Sequence, residues 1–422
     1  MFISVCQRLM AETASQCTRK DFQEGWQYFC YREDRRNCVY TDVTQHLMNM
    51  KHNLFLIILS LTFISQKSYS QERGNSDIIV KTIDKYGKDF VRNKNISSVS
   101  IGVLKDGEIY TKHFGELEKG RGNTPSDESI YEVGSVTKTI TGYLVAKAVK
   151  EGKINLEEDV RTYLKGDYPN LEYNGKPIKI KHLLTHTSGL PMTLPVELNG
   201  VFENLDEKVP DRYYEIEKSY DKEKYLADLK KVSLNVEPGI QYTYSNAGAE
   251  LIGYVLEMIY EKSIDELLKD SFLDKYRMPN TAIVLDQIQK EKLVKGYWMN
   301  NTTLSQNQLN TLWGSAGGVK MNLTDMLRYI ELQLNNEDPI VSESHKVLYE
   351  EGKTFKIGYF WRVWNDKYGT SYNHHGGTSG TQNWLFIFPD YQLGISIITN
   401  QSGPKTPNLL SKTVKKMLKD II

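Results

Sequence analysis

A serine and a lysine stand three residues apart in the stretch SVTK, with Ser135 at the mouth of an apolar-patterned helical segment and Lys138 inside it. Helical side chains with this spacing share one face, which places the lysine within reach of the serine hydroxyl. A serine becomes a nucleophile when a neighbouring base takes its proton. A serine at a helix start is also a preferred N-cap, because its hydroxyl accepts a hydrogen bond from an unpaired backbone N–H. The two residues alone therefore fit either catalysis or capping.

Copies of the same short motifs occur elsewhere in the chain, and their context separates them. S-x-x-K is found at Ser135, Ser219 and Ser402, but the second copy lies in a charged stretch and the third in a Gly-Pro turn. Y-x-N is found at Tyr168 and Tyr244, and only the copy at Tyr244 follows a Pro-Gly turn and precedes a helical run. A tyrosine and an asparagine two apart in an extended loop point the same way. The copies at Ser135 and Tyr244 are therefore the candidates for a shared cleft.

A histidine motif, H-x-G, stands closer to the C-terminus. The stretch HHGGTSG, which begins at His374, continues a predicted strand into glycines. Glycines at such a point let a substrate backbone approach closely. H-x-G also begins at His113 and at His375, so this motif alone is weak evidence. It becomes informative only together with the motifs at Ser135 and Tyr244.

The ordered set SVTK, YSN and H-x-G resembles the motifs of the serine hydrolases that include penicillin-binding D-alanyl-D-alanine carboxypeptidases, class C β-lactamases and related esterases. Four longer stretches resemble the same family in the same order: IKHLLTHTSGLP, VEPGIQYTYSNAG, WGSAGGVKMNLTDMLRY and HHGGTSGTQNW. The resemblance to the family covers roughly residues 76–420. Single motif matches carry a risk of coincidence, which four ordered stretches reduce.

The resemblance implies a serine hydrolase that forms an acyl-enzyme on Ser135, which water then hydrolyses. Lys138 and Tyr244 are the candidate bases. The ordinary pKa values of lysine and tyrosine are about 10.4 and 10, so one of the two must be lowered by about 3 units to work near neutrality. Burial would favour a neutral lysine and a neighbouring cation would favour tyrosinate. The sequence leaves open which residue is the resting base.

The same resemblance assigns substrate-binding and oxyanion-stabilising groups. It implies that Asn246, His374 and Gly376 bind the substrate. It also implies that the backbone N–H groups of Ser135 and Gly377 form the oxyanion hole, which would stabilise the negative charge that develops on the attacked carbonyl oxygen. No cofactor and no metal are implied.

The third motif departs from the β-lactamase pattern, which usually has lysine where this chain has His374. The register that begins at His375 is disfavoured, because His374 lines up with the following Gly-Gly-Thr-Ser-Gly. A histidine of ordinary pKa about 6.5 is mostly neutral at pH 7, so a substrate carboxylate loses a permanent cationic anchor. This favours D-alanyl-D-alanine carboxypeptidase-like or esterase-like activity, with a class C-type β-lactamase as the alternative. A non-catalytic penicillin- or cell-wall-binding module is the alternative of another class.

The composition narrows the range of partners. The chain has 53 basic and 53 acidic side chains, without the basic excess that nucleic acid or anionic lipid would require. The expected partner is a small-molecule or peptide substrate: a D-amino-acid peptide, an ester or a β-lactam. His182 and His186 have a spacing that can bind metal, but no third ligand is evident, which favours a structural role.

The N-terminal part has the pattern of a secretory signal peptide, expected over residues 48–70. A basic start precedes the twelve-residue apolar run LFLIILSLTFIS, and small residues follow at Ser68 and Ser70. The run is short for a membrane span, which makes a retained membrane anchor the weaker alternative. All four cysteines precede this segment, and residues 1–47 are interpreted as an upstream extension outside the fold. We therefore expect the protein to be secreted or periplasmic, with no stable membrane span after the signal peptide is removed.

The arrangement of predicted elements indicates an α+β fold. Strand patterns occur at both ends of residues 76–421, including a hairpin around Lys105-Asp106-Gly107, and mostly helical patterns lie between them. We therefore expect one antiparallel sheet built from both chain ends, over about 76–134 and 350–421, flanked by helices. A mostly helical lobe over about 135–349 would be inserted into it, as in β-lactamases and transpeptidases. The Tyr- and charge-rich stretch 194–231 is expected to be a surface insertion, or alternatively a specificity rim.

Overall fold

The computed structural model describes residues 28–34, 37–42 and 76–422, except residues 202, 274 and 309–310. The chain divides into two compact units, Met1–Ser76 and Asp77–Ile422. In the first unit, strands Tyr28–Asp34 and Asn37–Asp42 pair in antiparallel fashion. The expected signal peptide lies outside the described residues, as does most of the expected upstream extension.

The second unit is built on an eight-stranded antiparallel sheet to which both of its ends contribute. Strand Leu393–Thr399, from the C-terminal part, pairs directly with Ser98–Lys105, from the N-terminal part. In order across the sheet, the strands are Tyr349–Glu351, Phe355–Gly358, Trp361–Asp366, Gly369–Gly377, Gln382–Phe388, Leu393–Thr399, Ser98–Lys105 and Glu108–Gly115. The prediction of one antiparallel sheet completed by both chain ends is confirmed.

Two hairpins of this sheet differ in whether their turns could be predicted from the sequence. Asp106 and Gly107 both have positive φ, 52° and 85°, as the predicted two-residue turn requires. The stretch FKIGYFWRVW contributes to two strands, Phe355–Gly358 and Trp361–Asp366. The turn lies at Tyr359 and Phe360, which take φ values of 50° and 69° although neither is glycine. Bulky residues seldom adopt this conformation, so the turn left no sequence signal.

Most helices lie along the chain between the two parts of the sheet, as the predicted fold class requires. The helices of the second unit span 76–91, Thr137–Lys150, Ile180–Leu184, Glu197–Val201, Val209–Glu217, Lys222–Leu229, Asn246–Tyr260, Ile264–Phe272, Gln287–Lys292, Leu323–Leu334, Pro339–Ser344 and Thr406–Ile421. Within the described part of the chain, no helix combines the length and the apolar character needed to cross a bilayer.

Short elements fill in the region beside the large sheet. The 3₁₀ helices are Gly134–Val136, Val160–Tyr163, Thr311–Trp313 and Pro389–Tyr391. The small strands are Ile130–Glu132 paired with Lys320–Asn322, Glu172–Tyr173 paired with Lys176–Pro177, and Gly296–Trp298 between Gln401–Ser402 and Leu304–Ser305.

The sheet separates two apolar cores, because successive strand side chains point to opposite faces. Helices 76–91 and Thr406–Ile421 cover one face, where Ile83 and Val414 belong to the same apolar cluster as Ile395. The other face packs on the helical part of the unit. There, helix Thr137–Lys150 is buried along most of its length. This buried helix carries the candidate catalytic lysine, Lys138.

Candidate active site

Ser135 lies in the 3₁₀ turn Gly134–Val136, directly before helix Thr137–Lys150. The N-cap position of that helix is Val136, and no side chain caps it. The Ser135 hydroxyl instead lies 3.1 Å from Lys138 Nζ and 2.7 Å from the Tyr244 hydroxyl. The structure thus brings together the three side chains that the sequence analysis singled out, and the hydroxyl is not used as a helix cap.

Lys138 is fully buried, and its amine is held by three oxygen atoms. Nζ donates to Ser135 Oγ at 3.1 Å, to Asn246 Oδ1 at 2.7 Å and to the Ala316 carbonyl at 2.6 Å. Burial lowers the pKa of Lys138 to about 7. The Glu250 carboxylate opposes this shift, and the Arg362 guanidinium adds to it. A substantial fraction of the amine is therefore neutral near pH 7 and able to accept a proton.

Tyr244 responds to burial in the opposite direction. Burial raises the pKa of Tyr244 to about 12, although its hydrogen bond to Ser135 and the charge of Arg362 act against the shift. The phenol therefore keeps its proton at neutral pH, and its hydroxyl donates a hydrogen bond to Ser135 Oγ. Lys138 Nζ lies 5.0 Å from the centre of the Tyr244 ring, and the His186 ring packs on the same tyrosine at 4.3 Å. These environments favour Lys138 over Tyr244 as the resting base.

Asn246 is positioned by the start of its own helix, Asn246–Tyr260. Ser245 caps that helix: its hydroxyl accepts a hydrogen bond from Gly248 N at 2.8 Å and donates to the Pro191 carbonyl at 2.7 Å. The cap fixes the residue that follows it, so the Asn246 side chain faces Lys138 and lines the cavity beside Ser135.

Glycines let strand Gly369–Gly377 pass directly beside the Ser135 turn. A Cβ atom on Gly134, which has a φ of +51°, would lie 2.6 Å from Gly377 N. A Cβ atom on Gly376 would lie 2.0 Å from the Val133 carbonyl oxygen. The backbone of Gly377 thus lies next to the Ser135 turn, the arrangement that the predicted oxyanion hole needs. The roles of the two N–H groups remain predictions.

The two histidines of the third motif point to opposite sides of their strand. His374 is buried, and its Nδ1 lies 2.7 Å from the His375 carbonyl oxygen. Burial, together with the charges of Arg362 and Lys138, holds the pKa of His374 well below its ordinary value. His375 is the one of the pair that lines the cavity, with Nε2 2.5 Å from Gln382 Oε1. Direct substrate binding by His374 remains a prediction.

A cavity of about 500 Å³ opens in front of Ser135. Among the described residues that line it, Arg362 carries a permanent charge. Arg362 lies on strand Trp361–Asp366, paired with Asn373 of the neighbouring strand. Arg362 was not among the residues predicted from the sequence, because only the pairing of two strands places it beside the third motif.

The rest of the cavity wall is largely apolar. The apolar and aromatic lining residues are Leu205, Tyr213, Trp298, Pro404 and Pro407. Leu205 and Tyr213 belong to the stretch 194–231, so part of that stretch forms a rim of the cavity. Trp298 is tied to the same stretch, because its Nε1 donates to the Asp206 carbonyl at 2.7 Å.

His182 and His186 hold backbone groups through one ring nitrogen each. His182 Nδ1 accepts from Lys179 N at 3.1 Å, and His186 Nδ1 accepts from Ser245 N at 3.2 Å. Burial lowers the pKa of His182 to about 4 and that of His186 well below its ordinary value, so both rings are neutral. These contacts agree with the structural role expected for the pair.

A family model described as Beta-lactamase matches residues 81–415. Protein flp of Staphylococcus aureus strain N315 is 25% identical over 342 residues, which are 78% of this chain and 64% of flp. A beta-lactamase of Providencia stuartii is 26% identical over 297 residues, 68% of each protein.

Among solved structures, the beta-lactamase/D-alanine carboxypeptidase from Yersinia pestis in complex with citrate superimposes with a TM-score of 0.69. The match covers 82% of this chain and 99% of that one at 21% identity, which shows a shared fold. Because the family model spans most of the described second unit, the chain belongs to the beta-lactamase family.

Proposed function

We propose that this protein is a serine hydrolase that forms an acyl-enzyme on Ser135 and acts as a D-alanyl-D-alanine carboxypeptidase-like or esterase-like enzyme. One observation carries the proposal: the Ser135 hydroxyl lies within hydrogen-bonding distance of both the Lys138 amine and the Tyr244 hydroxyl. A nucleophile in contact with a base of suitable pKa is the arrangement that acyl transfer requires. A non-catalytic binding module would need neither contact.

In the acylation step, neutral Lys138 takes the proton of Ser135 while Oγ attacks the substrate carbonyl. A new C–O bond forms, and the oxyanion accepts hydrogen bonds from the N–H groups of Ser135 and Gly377. The proton then moves from Lys138, through the Tyr244 hydroxyl, to the leaving nitrogen or oxygen. The scissile C–N or C–O bond breaks, and the leaving group departs neutral.

Deacylation repeats the same steps with water as the nucleophile. The base takes a proton from water, the water oxygen bonds to the acyl carbon, and the ester bond to Ser135 breaks. Ser135 regains its proton and the carboxylic acid leaves. Because the cycle begins with neutral Lys138, whose pKa is about 7, activity is expected to rise with pH through that region.

The charge of the cavity favours a substrate that carries a carboxylate. Arg362 offers a fixed cation where neutral His374 cannot, and a guanidinium can bind a carboxylate through two hydrogen bonds. This observation supports a peptide with a free C-terminal carboxylate over a neutral ester. It also supports a β-lactam, which makes a class C-type β-lactamase the second candidate function. The apolar wall would accept an apolar portion of the substrate.

We also propose that the protein is exported, with residues 48–70 removed as a signal peptide. The support is the basic start, short apolar run and small residues of that segment. A peptidase acting on cell-wall peptides would meet its substrate outside the cytoplasm.

The proposed function is tested by the intact mass of the protein after exposure to a fluorophosphonate. In the expected reaction, Ser135 Oγ bonds to phosphorus, fluoride leaves, and each molecule gains one phosphonyl group. Ser135→Ala should gain none. Ser219→Ala is the matched control, because Ser219 begins a second S-x-x-K sequence at an exposed position, and it should be labelled like the native protein. Labelling of Ser135→Ala, or no labelling of the native protein, would contradict the proposal.

A further inference from the structure

Glu250 is a buried carboxyl group that the reaction described above does not use. It lies on helix Asn246–Tyr260, one turn after Asn246, so the two side chains share a face of the helix. The residue is only 2% exposed. A buried carboxyl group is costly unless its oxygens are hydrogen-bonded, so its partners indicate why it is there.

One hydrogen-bond partner of Glu250, Ala316, also contacts the candidate base Lys138. One carboxyl oxygen, Oε2, accepts from Ser315 Oγ at 2.9 Å and from Ala316 N at 3.2 Å. The carbonyl oxygen of the same Ala316 accepts from Lys138 Nζ at 2.6 Å. Ala316 therefore contacts the carboxyl group through its N–H and the amine through its carbonyl.

The segment that carries this link is fixed by close packing. Thr141, on the lysine's own helix, donates from Oγ1 to the Ser315 carbonyl at 2.8 Å. A Cβ atom on Gly253 would lie 2.2 Å from Ser315 Oγ, so the helix of Glu250 touches the segment directly. A substitution at Glu250 is thus expected to affect Lys138 through the contacts of Ser315 and Ala316.

Several charged or titratable groups surround Lys138, on two strands, one helix and two loop segments. Arg362, on strand Trp361–Asp366, disfavours the charged amine, whereas Glu250 favours it. Burial, together with the charge of Lys138, lowers the pKa of His186 and of His374, so both rings are neutral. Tyr244 keeps its proton, as described above. Among the described residues, Glu250 is therefore the acid that favours a proton on Lys138.

The carboxyl group has titratable neighbours of its own. Glu257 lies two turns further along the same helix, and its charge disfavours the ionised form of Glu250. Tyr225 and Tyr254 lie nearby, and burial holds the pKa of each well above its ordinary value, so both are neutral. Protonation of Glu250 is thus governed by burial, by Glu257 and by the two hydrogen bonds that it accepts.

We propose that Glu250 is a positioning residue that holds the Lys138 amine against Ser135 through Ala316 and controls, by its own protonation, how readily that amine gives up its proton. This inference rests on the proposed function, in which neutral Lys138 activates Ser135. It gives Glu250 a positioning role beside Ser135, Lys138 and Tyr244, which take part in the proposed reaction.

The direction of the effect follows from the charges. Burial raises the pKa of Glu250 to about 8 and lowers that of Lys138 to about 7, so both groups titrate in the same range. Whenever Glu250 is ionised, its negative charge favours the ammonium form of Lys138, which cannot accept the serine proton. A glutamine at position 250 is never ionised. Lys138 in Glu250→Gln should therefore lose its proton at a lower pH than in the native protein.

The test is the pH dependence of the second-order rate constant for labelling by a fluorophosphonate. The rate rises as Lys138 loses its proton, and this rise, the acidic limb of the pH profile, should lie at lower pH in Glu250→Gln than in the native protein. The shift should be a fraction of a pH unit, because the pKa of Glu250 lies above that of Lys138 and the carboxyl group is only partly ionised where Lys138 titrates. Asp325→Asn is the matched control: Asp325 is equally buried, but it accepts from Asn280 N and Thr281 Oγ1, away from Lys138. Its acidic limb should coincide with that of the native protein.

Ser315→Ala provides a second variant if Glu250→Gln does not fold, as judged by circular dichroism. Loss of the Ser315 hydroxyl removes a hydrogen bond that stabilises the ionised form of Glu250. The acidic limb should then move in the same direction by a smaller amount. Unshifted limbs in the folded variants, with Ser135 still labelled in the native protein, overturn the inference and leave the proposed function intact. A native protein that is not labelled at Ser135 overturns both.

Discussion

Burial changes what Lys138 and Tyr244 can do, and it changes them in opposite ways. Removal from water disfavours the charged form of each residue, which is the protonated lysine but the deprotonated tyrosine. The pKa of Lys138 therefore falls to about 7, while that of Tyr244 rises to about 12. The motifs were sufficient to name the pair in the sequence. They could not say which residue is the base, because burial depends on the packing of distant segments.

Arg362 and Glu250 show the limit of motif reasoning for single residues. Arg362 reaches the cavity through the pairing of two strands, and Glu250 reaches Lys138 through a segment some sixty residues further along the chain. Neither belongs to a recurrent short pattern. Ser135 and Lys138, in contrast, are neighbours on one turn, so their spacing alone predicted their contact.

Replacement of Arg362 by leucine should impair substrates with a carboxylate and spare neutral ones. A charge-assisted hydrogen bond contributes about 1.5–3 kcal/mol, so KM for a D-alanyl-D-alanine peptide should rise by about 10- to 100-fold. KM for a neutral p-nitrophenyl ester should change little. Both are measured at pH 9, because loss of the guanidinium also raises the pKa of Lys138 and would lower the rate near neutrality.

Lys356→Leu is a suitable control for the arginine variant. Lys356 lies on the neighbouring strand Phe355–Gly358 and pairs with Glu350, outside the cavity. It removes one positive charge from the same sheet, and KM for both substrates should stay within about twofold. An equal rise in KM for the peptide and the ester in Arg362→Leu would show that the arginine does not bind the carboxylate.

The elements that position the site meet at a very close backbone contact. Strand Gly369–Gly377 and the Ser135 turn approach each other through Gly376 and Gly134. The glycines of the third motif were expected to allow the close approach of a substrate backbone. The structure shows that the first group accommodated by Gly376 is the protein's own Val133 carbonyl.

Replacement of Gly376 by alanine should separate these two elements. The added methyl group would lie 2.0 Å from the Val133 carbonyl oxygen, which is backbone and cannot rotate away. We expect destabilisation by about 2 kcal/mol. We also expect a loss of about 10²-fold in kcat, because the oxyanion donors would be displaced. Urea unfolding and ester hydrolysis measure the two effects.

Gly200→Ala is the glycine control. A Cβ atom at Gly200 meets nothing within 4 Å, and the residue lies inside helix Glu197–Val201. Alanine is tolerated in such a place, so stability should change by less than about 1 kcal/mol and activity should be unchanged. A fully active Gly376→Ala variant would mean that the strand and the turn can separate without harm to the site.

For the molecule as a whole, the sequence predicted the architecture better than the cavity. Alternating apolar strands at both ends and helical patterns between them were enough for the sheet and the helical part. The cavity wall was harder to predict, because Leu205, Tyr213 and Trp298 lie in separate parts of the sequence and belong to none of the motifs. Only the folded arrangement collects them on one side of Ser135.

The proposed export of the protein can be tested at its N-terminus. The secreted product should begin at residue 71, after the small residues at Ser68 and Ser70. Edman sequencing or terminal-peptide mass spectrometry of the exported protein reads this directly. Ser70→Leu, which places a large side chain at the expected cleavage position, should leave the longer precursor in the membrane fraction. A product that starts before residue 48 would disprove the interpretation of the N-terminal part.

The central strand pair also dictates when the chain can fold during its synthesis. Val103 faces Ile395 across the middle of the sheet, so the N-terminal hairpin lacks its partner until nearly the whole polypeptide has left the ribosome. Pairing across so long a stretch of sequence is slow. The nascent chain is therefore expected to remain unfolded until late in synthesis, which would suit the proposed export through a translocation channel.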